Sequence, residues 1–72
     1  MAVNQFRIVC RQFDFPLYAT SSGLRADWTD NAERAYVYDQ QDNRETKLKY
    51  WRAIAHLHGF DPASVQIEEW PP

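Results

Sequence analysis

Cysteine is almost absent from this sequence: Cys10 is the only one, so no disulfide can form within the chain, and a reducing cytoplasm is the expected compartment. Only two glycines are present, Gly23 and Gly59, which leaves no glycine-rich loop of the kind that binds phosphate. No apolar run approaches the length of a membrane span, and the first residues do not resemble a signal peptide. These absences predict a cytoplasmic protein with no membrane partner.

Length and aromatic content set the size and the packing of the protein. With 72 residues, the chain is expected to form a single domain, 1–72. Phe, Tyr and Trp make up 15% of the composition, and such rings bury large areas in a small core. The formal net charge of −2 argues against a generally basic nucleic-acid-binding protein, although not against a local basic patch.

The N-terminal part of the chain predicts two paired strands. Residues 5–11 alternate in a way that is typical of a half-buried strand. One face would carry Phe6, Ile8 and Cys10, and the other would carry Arg7, Val9 and Arg11. Residues 12–16 are expected to turn the chain. Residues 17–20 would then form a second strand, antiparallel to the first, which ends at residues 21–23.

Between residues 28 and 38 the spacing predicts a short helical turn and then a third strand. Asp30 and Glu33 lie three residues apart, as in a capping box, and alanines follow Asp30. Residues 36–38, Tyr-Val-Tyr, have the composition of a strand.

The longest predicted element is a helix over residues 43–58. Asp42 and Glu45 have capping-box spacing at its start, and Gly59 is expected to end it. Its broad apolar face would consist of Leu48, Tyr50, Trp51, Ile54, Ala55 and Leu57.

A last strand is predicted over residues 64–70, with Val65 and Ile67 directed inward and Trp70 outward. The expected fold class is α+β: a small, mainly antiparallel sheet in β-β-β-α-β order, with a short helical turn before the third strand and one long helix packed on one face. One helix covers one face only, so the other face is expected to be open to water or covered by a partner.

Part of the sequence resembles a loose group of small bacterial and prophage-encoded proteins. The resemblance rests on Trp28-Thr29-Asp30-Asn31, on Ala32 and Ala35, and on the Tyr-Val-Tyr run before the helix, and it covers about residues 5–69. These proteins are mostly uncharacterised single domains with a Trp-Thr, alanine and aromatic pattern after an N-terminal hairpin. The resemblance implies a fold and suits a prophage or accessory origin, and it implies no activity.

His56 and His58 are the first candidates for metal binding. Two residues apart on a helix, they would point about 200° apart, so one ion would not reach both. Cys10 shares the inward pattern of Phe6 and Ile8, which favours a buried structural thiol over a nucleophile. The sequence therefore predicts no metal site, no catalytic residue and no cofactor.

The polar face of the helix is a candidate phosphate-contacting patch. It would bring together Lys49, Arg52 and His56. The same pattern is typical of a solvated helix face on which Glu45 and Lys49 form an i,i+4 pair, and this second interpretation is preferred.

The helix-free face of the sheet is the predicted working surface. Its candidate partner-binding residues are Arg7, Val9, Arg11 and Trp70, because Trp and Arg are enriched in protein interfaces. The alternative is that Trp70 merely covers the edge of the core. The predicted function is a small non-enzymatic protein that binds another protein or a second copy of itself. Nucleic-acid binding through the basic helix face is the second hypothesis, and a small enzyme is the third.

Overall fold

The sheet and the long helix predicted from the sequence are both present. The computed structural model describes residues 5–21 and 27–71. The strands are β1 (Gln5–Cys10), β2 (Leu17–Ala19), β3 (Trp28–Thr29) and β4 (Val65–Trp70). The helix is α1 (Arg44–Leu57), and two 3₁₀ turns cover Ala32–Arg34 and Pro62–Ser64. The sheet is antiparallel with the spatial order β3-β2-β1-β4, and α1 packs on one face, which confirms the α+β class.

β1 is the inner strand on which the core is built. Phe6, Ile8 and Cys10 belong to the cluster beneath α1, as predicted, but Arg7 and Val9 are buried too, so the prediction of a half-buried strand is wrong. The buried cluster consists of Phe6, Ile8, Cys10, Ala19, Tyr38, Trp51, Ala55 and Val65. β1 pairs with β2 on one side and with β4 on the other, so the first and the last strands of the sheet are neighbours.

Both predicted helix starts are displaced by one residue, and an asparagine is the cap in each. Asn43 rather than Asp42 caps α1, and its side-chain oxygen accepts a hydrogen bond from the backbone N–H of Thr46 at 2.9 Å. Asn31 rather than Asp30 caps the first 3₁₀ turn. Asn and Asp cap helices about equally well, so side-chain type does not distinguish adjacent candidates.

Gly59 ends α1, as the sequence predicts. Its φ of 82° lies in the left-handed region, which glycine adopts without a Cβ penalty. The backbone N–H of Gly59 donates to the carbonyl of His56 at 3.1 Å, and that of Phe60 donates to Ala55 at 2.7 Å. This pair of bonds is a Schellman motif, and it turns Phe60 back onto the core.

Leu57 does not belong to the apolar face of α1, contrary to the prediction. Its side chain is 76% exposed, whereas Ala55 is fully buried. Successive helical residues are rotated by about 100°, so Leu57 lies about 200° round the helix from Ala55 and past the core. Leu48, Tyr50 and Ile54 do pack against the buried cluster.

The segment between β2 and α1 differs most from the prediction. Trp28–Thr29 is itself β3 and pairs with β2, so the short helical turn follows the third strand instead of preceding it. Residues 36–38 form no strand, and Tyr38 makes a single bridge to Phe6 of β1. Tyr38 therefore belongs to the core and is joined to β1 by one bridge, without being part of a strand.

Some features of the sequence lie outside the described residues, namely the first four residues and the proposed end of the second strand at Ser22 and Gly23. Among the residues that are described, no helix is both long enough and apolar enough to cross a membrane.

Candidate functional site

The four residues predicted to bind a partner share one face of the sheet. We name the face opposite α1 the back face. In the β1–β4 register Arg7 lies opposite Glu68 and Gln5 opposite Trp70, so these side chains point to the same side. The back face accordingly carries Arg7, Val9, Arg11 and Trp70. The predicted division of β1 into two faces is thus confirmed.

Arg7 lies between two aromatic rings at the centre of the back face. Its guanidinium carbon is 4.4 Å from the ring centre of Tyr18 and 4.1 Å from that of Trp70. Its Nε donates to Glu68 at 2.9 Å, and its Nη1 donates to the carbonyl of Ala32 at 3.4 Å. Both faces and the edge of this guanidinium are occupied, so Arg7 supports the fold and is not an open contact.

The back face is closed over its centre, which corrects the expectation that water or a partner covers it. Arg7 is only 6% exposed and Val9 is fully buried. The groups that contact Arg7 on this face are the rings of Tyr18 and Trp70 and the carbonyl of Ala32 in the first 3₁₀ turn. Arg11 is still about half exposed. Partner binding by the back face stays a prediction, and it now concerns Arg11 and Trp70.

Glu68 connects the two arginines of the back face. One carboxylate oxygen accepts from Arg7 and the other accepts from Arg11 at 2.8 Å. The chain thus sets two positive charges against a single negative charge, and the carboxylate is fully compensated.

The structure brings only part of the basic patch together. Lys49 and Arg52 line one shallow depression with Glu45 and Leu48, while His56 is exposed further along α1. The Nε and Nη2 of Arg52 donate to the carbonyl of Val65 at 3.2 and 3.1 Å, so this guanidinium is partly used to hold α1 on β4. The acidic Glu45 further weakens the patch as a phosphate site.

Within residues 5–21 and 27–71, no three or more His, Cys, Asp or Glu side chains form a group that could hold a metal ion. His58 lies against the ring of Phe60, with 6.2 Å between ring centres. Cys10 is buried in the core, as predicted for a structural thiol.

The segment after β1, for which the sequence predicts only a turn, carries an exposed aromatic cluster. We name residues 12–16 the aromatic loop. Phe13 and Phe15 are 41% and 51% exposed, and their rings stack with centres 5.7 Å apart and planes 15° apart. Two phenyl rings flanking Asp14 in a turn that needs no apolar residue were the signal available in the sequence.

The aromatic loop is held in place by the residues that follow α1. Phe13 meets Phe60 edge to face with 5.5 Å between ring centres, and Phe60 in turn meets Trp28 at 6.1 Å. The side-chain oxygen of Gln12 accepts from the backbone N–H of Asp61 at 2.7 Å. The two exposed rings are therefore pre-positioned by contacts with the core, and they present a defined apolar surface.

No protein-family model, no curated protein and no solved structure matches this chain. The resemblance to small bacterial and prophage-encoded proteins stays a prediction.

Proposed function

We propose that this chain is a non-enzymatic interaction module that binds another protein through the aromatic loop. The observation that carries the proposal is the pair of stacked, exposed rings of Phe13 and Phe15. Leaving two such rings in water is unfavourable, and aromatic residues are enriched in interface cores. A partner that covers both rings would recover that free energy.

The anchoring of the loop supports the same proposal. A binding surface loses affinity when its side chains must be ordered on contact. Phe13 packs against Phe60, and Gln12 is hydrogen-bonded to Asp61. The side chains of the loop are therefore already ordered before a partner binds. The carboxylate of Asp14 lies between the two rings in sequence, which favours a partner with an apolar pocket bordered by a basic residue.

The proposal assigns the protein to the cytoplasm, where a lone, buried thiol such as Cys10 suits the reducing conditions. A bacterial or prophage origin, implied by the resemblance of the Trp28–Tyr38 region, belongs to the same proposal.

The test is capture of a partner by immobilised protein from an extract of the source cell, followed by reconstitution with the purified partner. Phe13→Ser with Phe15→Ser should abolish binding. Leu57→Ser is the matched control, because it removes an exposed apolar side chain elsewhere and should leave binding unchanged. A partner that binds the double variant as well as the parent protein contradicts the proposal.

One further double variant, a nuclease treatment and a salt titration separate the competing surfaces. Loss of binding only in Arg11→Glu with Trp70→Ala would transfer the site to the back face. Nucleic-acid binding through Lys49, Arg52 and His56 would instead make capture sensitive to nuclease and make affinity fall steeply with salt.

A further inference from the structure

β4 is an edge strand, and some of the backbone N–H and C=O groups on its outer side make no hydrogen bond within the described part of the chain. Phe6 exchanges both of its backbone hydrogen bonds with Tyr38, at 3.0 and 2.8 Å, so at this position β1 directs its polar groups away from β4. Bonded and non-bonded residues alternate along an antiparallel pair. In β4 the residues bonded to β1 are therefore Gln66, Glu68 and Trp70, and those directed outward are Val65, Ile67 and Glu69.

Val65 is already engaged on this outer side. Its N–H donates to the carbonyl of Pro62, and its carbonyl accepts from Arg52 at 3.1 Å. The backbone groups of Ile67 and Glu69 have no hydrogen-bond partner within residues 5–21 and 27–71. We name the N–H and C=O groups of these two residues the free edge.

We propose that the free edge pairs with the free edge of a second copy of this chain, antiparallel and about a two-fold axis through Glu68. With this axis Ile67 of each copy faces Glu69 of the other, and both residues of such a pair exchange their hydrogen bonds. Every group of the free edge is then satisfied. An axis through Ile67 would instead place Glu69 opposite Val65, whose groups are already bonded. Of these two axes, only the one through Glu68 gives every group of the free edge a hydrogen-bond partner in the second copy.

The charges near the axis permit this approach. The Glu68 side chains of the two copies would lie directly opposite each other, which is unfavourable for bare carboxylates. Each Glu68, however, accepts hydrogen bonds from both Arg7 and Arg11. Glu69 is likewise paired with Arg44, at 2.9 Å between Nη2 and Oε1. No uncompensated negative charge therefore remains at the axis. The sheets of the two copies would join there into one continuous sheet.

The surface differs from the aromatic loop, so this inference goes beyond the proposed function and is tested separately. Sedimentation velocity between about 10 μM and about 1 mM covers the range in which so small a contact dissociates. The parent protein should form a dimer. Glu69→Pro removes an edge N–H and should be monomeric, whereas Glu69→Ala loses the same ion pair with Arg44, keeps the N–H and should dimerise. Phe13→Ser with Phe15→Ser should dimerise like the parent.

Amide exchange measured by NMR on the parent protein gives a second test that needs no variant. The amides of Ile67 and Glu69 should gain protection of about tenfold or more as the concentration rises through the dimerisation range. A parent protein that is monomeric up to about 1 mM, a dimeric Glu69→Pro, or concentration-independent exchange at both amides would each overturn the proposal.

Discussion

The indole Nε1 of Trp51 donates a hydrogen bond of 2.8 Å to the hydroxyl oxygen of Tyr38. The Tyr38 hydroxyl in turn donates to the carbonyl of Ser21 at 3.0 Å. Both rings are buried, so this relay satisfies two polar groups that would otherwise be costly inside the core. It also links α1 to the segment that follows β2, through a residue that belongs to no strand.

Trp51→Ala should lower the free energy of unfolding by about 3–5 kcal/mol, because it leaves a large cavity and removes the hydrogen bond that the Tyr38 hydroxyl oxygen accepts. Trp51→Phe keeps most of the ring and should cost less, about 1–3 kcal/mol, mainly through the lost hydrogen bond. Urea unfolding followed by circular dichroism measures both values. A loss below about 1 kcal/mol for Trp51→Ala would contradict the central place of this side chain.

Stability should fall with rising pH in the alkaline range because of Tyr38. Burial raises the pKa of the Tyr38 hydroxyl above its ordinary value of 10.0, and the hydrogen bond from Trp51 offsets only part of that rise. The unfolded chain therefore releases this proton first, and stability is retained below pH 10.0 and lost above it. Tyr38→Phe should flatten this part of the profile, whereas Tyr36→Phe removes only a weaker charge interaction with Tyr38 and should change the profile much less. Equal slopes for the parent and Tyr38→Phe would refute the assignment.

Arg7 and Arg11 bond to the same carboxylate and should nevertheless differ greatly in their contributions. Arg7→Ala should cost about 3–5 kcal/mol, because it removes a buried cation from between two rings and from Glu68. Arg11→Ala should cost at most about 1 kcal/mol, as expected for an ion pair that solvent screens. Chemical denaturation of the two variants side by side gives the comparison, and similar losses would show that the closed centre of the back face matters little.

Divalent metal should have no effect on stability. His56 belongs to the last turn of α1 and His58 follows the helix as its C-cap, and the described residues offer no cluster of three or more ligands. Melting temperatures in chelator and in stoichiometric zinc should agree within error. A clear rise with zinc would revise this interpretation of His56 and His58.

Local pattern was sufficient to predict the inner strand and the end of the helix. Alternation along β1 depends only on the pleat, so Phe6 and Ile8 could be assigned to the core without any tertiary information. Gly59 is similarly informative, because few other residues adopt a positive φ. The exact caps were not determined, since Asp42 and Asn43 are neighbours with equal capping ability.

Contacts between distant parts of the chain account for the errors. The burial of Arg7 depends on rings from β2 and β4, and no local pattern shows that these rings meet over one guanidinium. Residues 36–38 have strand composition, yet only Tyr38 reaches β1. For the candidate site, the turn chemistry of residues 12–16 predicted a loop but did not show that Phe60 would hold its two rings in place.

The pairing of β1 with β4 has a consequence for synthesis on the ribosome. β1 leaves the exit tunnel before the other three strands, and β2 can join it early, but β4 is made after both of them. At about 5–20 residues per second, one side of the central strand stays unpaired for several seconds of translation. Until residue 70 has emerged, the nascent chain exposes a half-finished sheet, and this is the interval in which a chaperone would have most to protect.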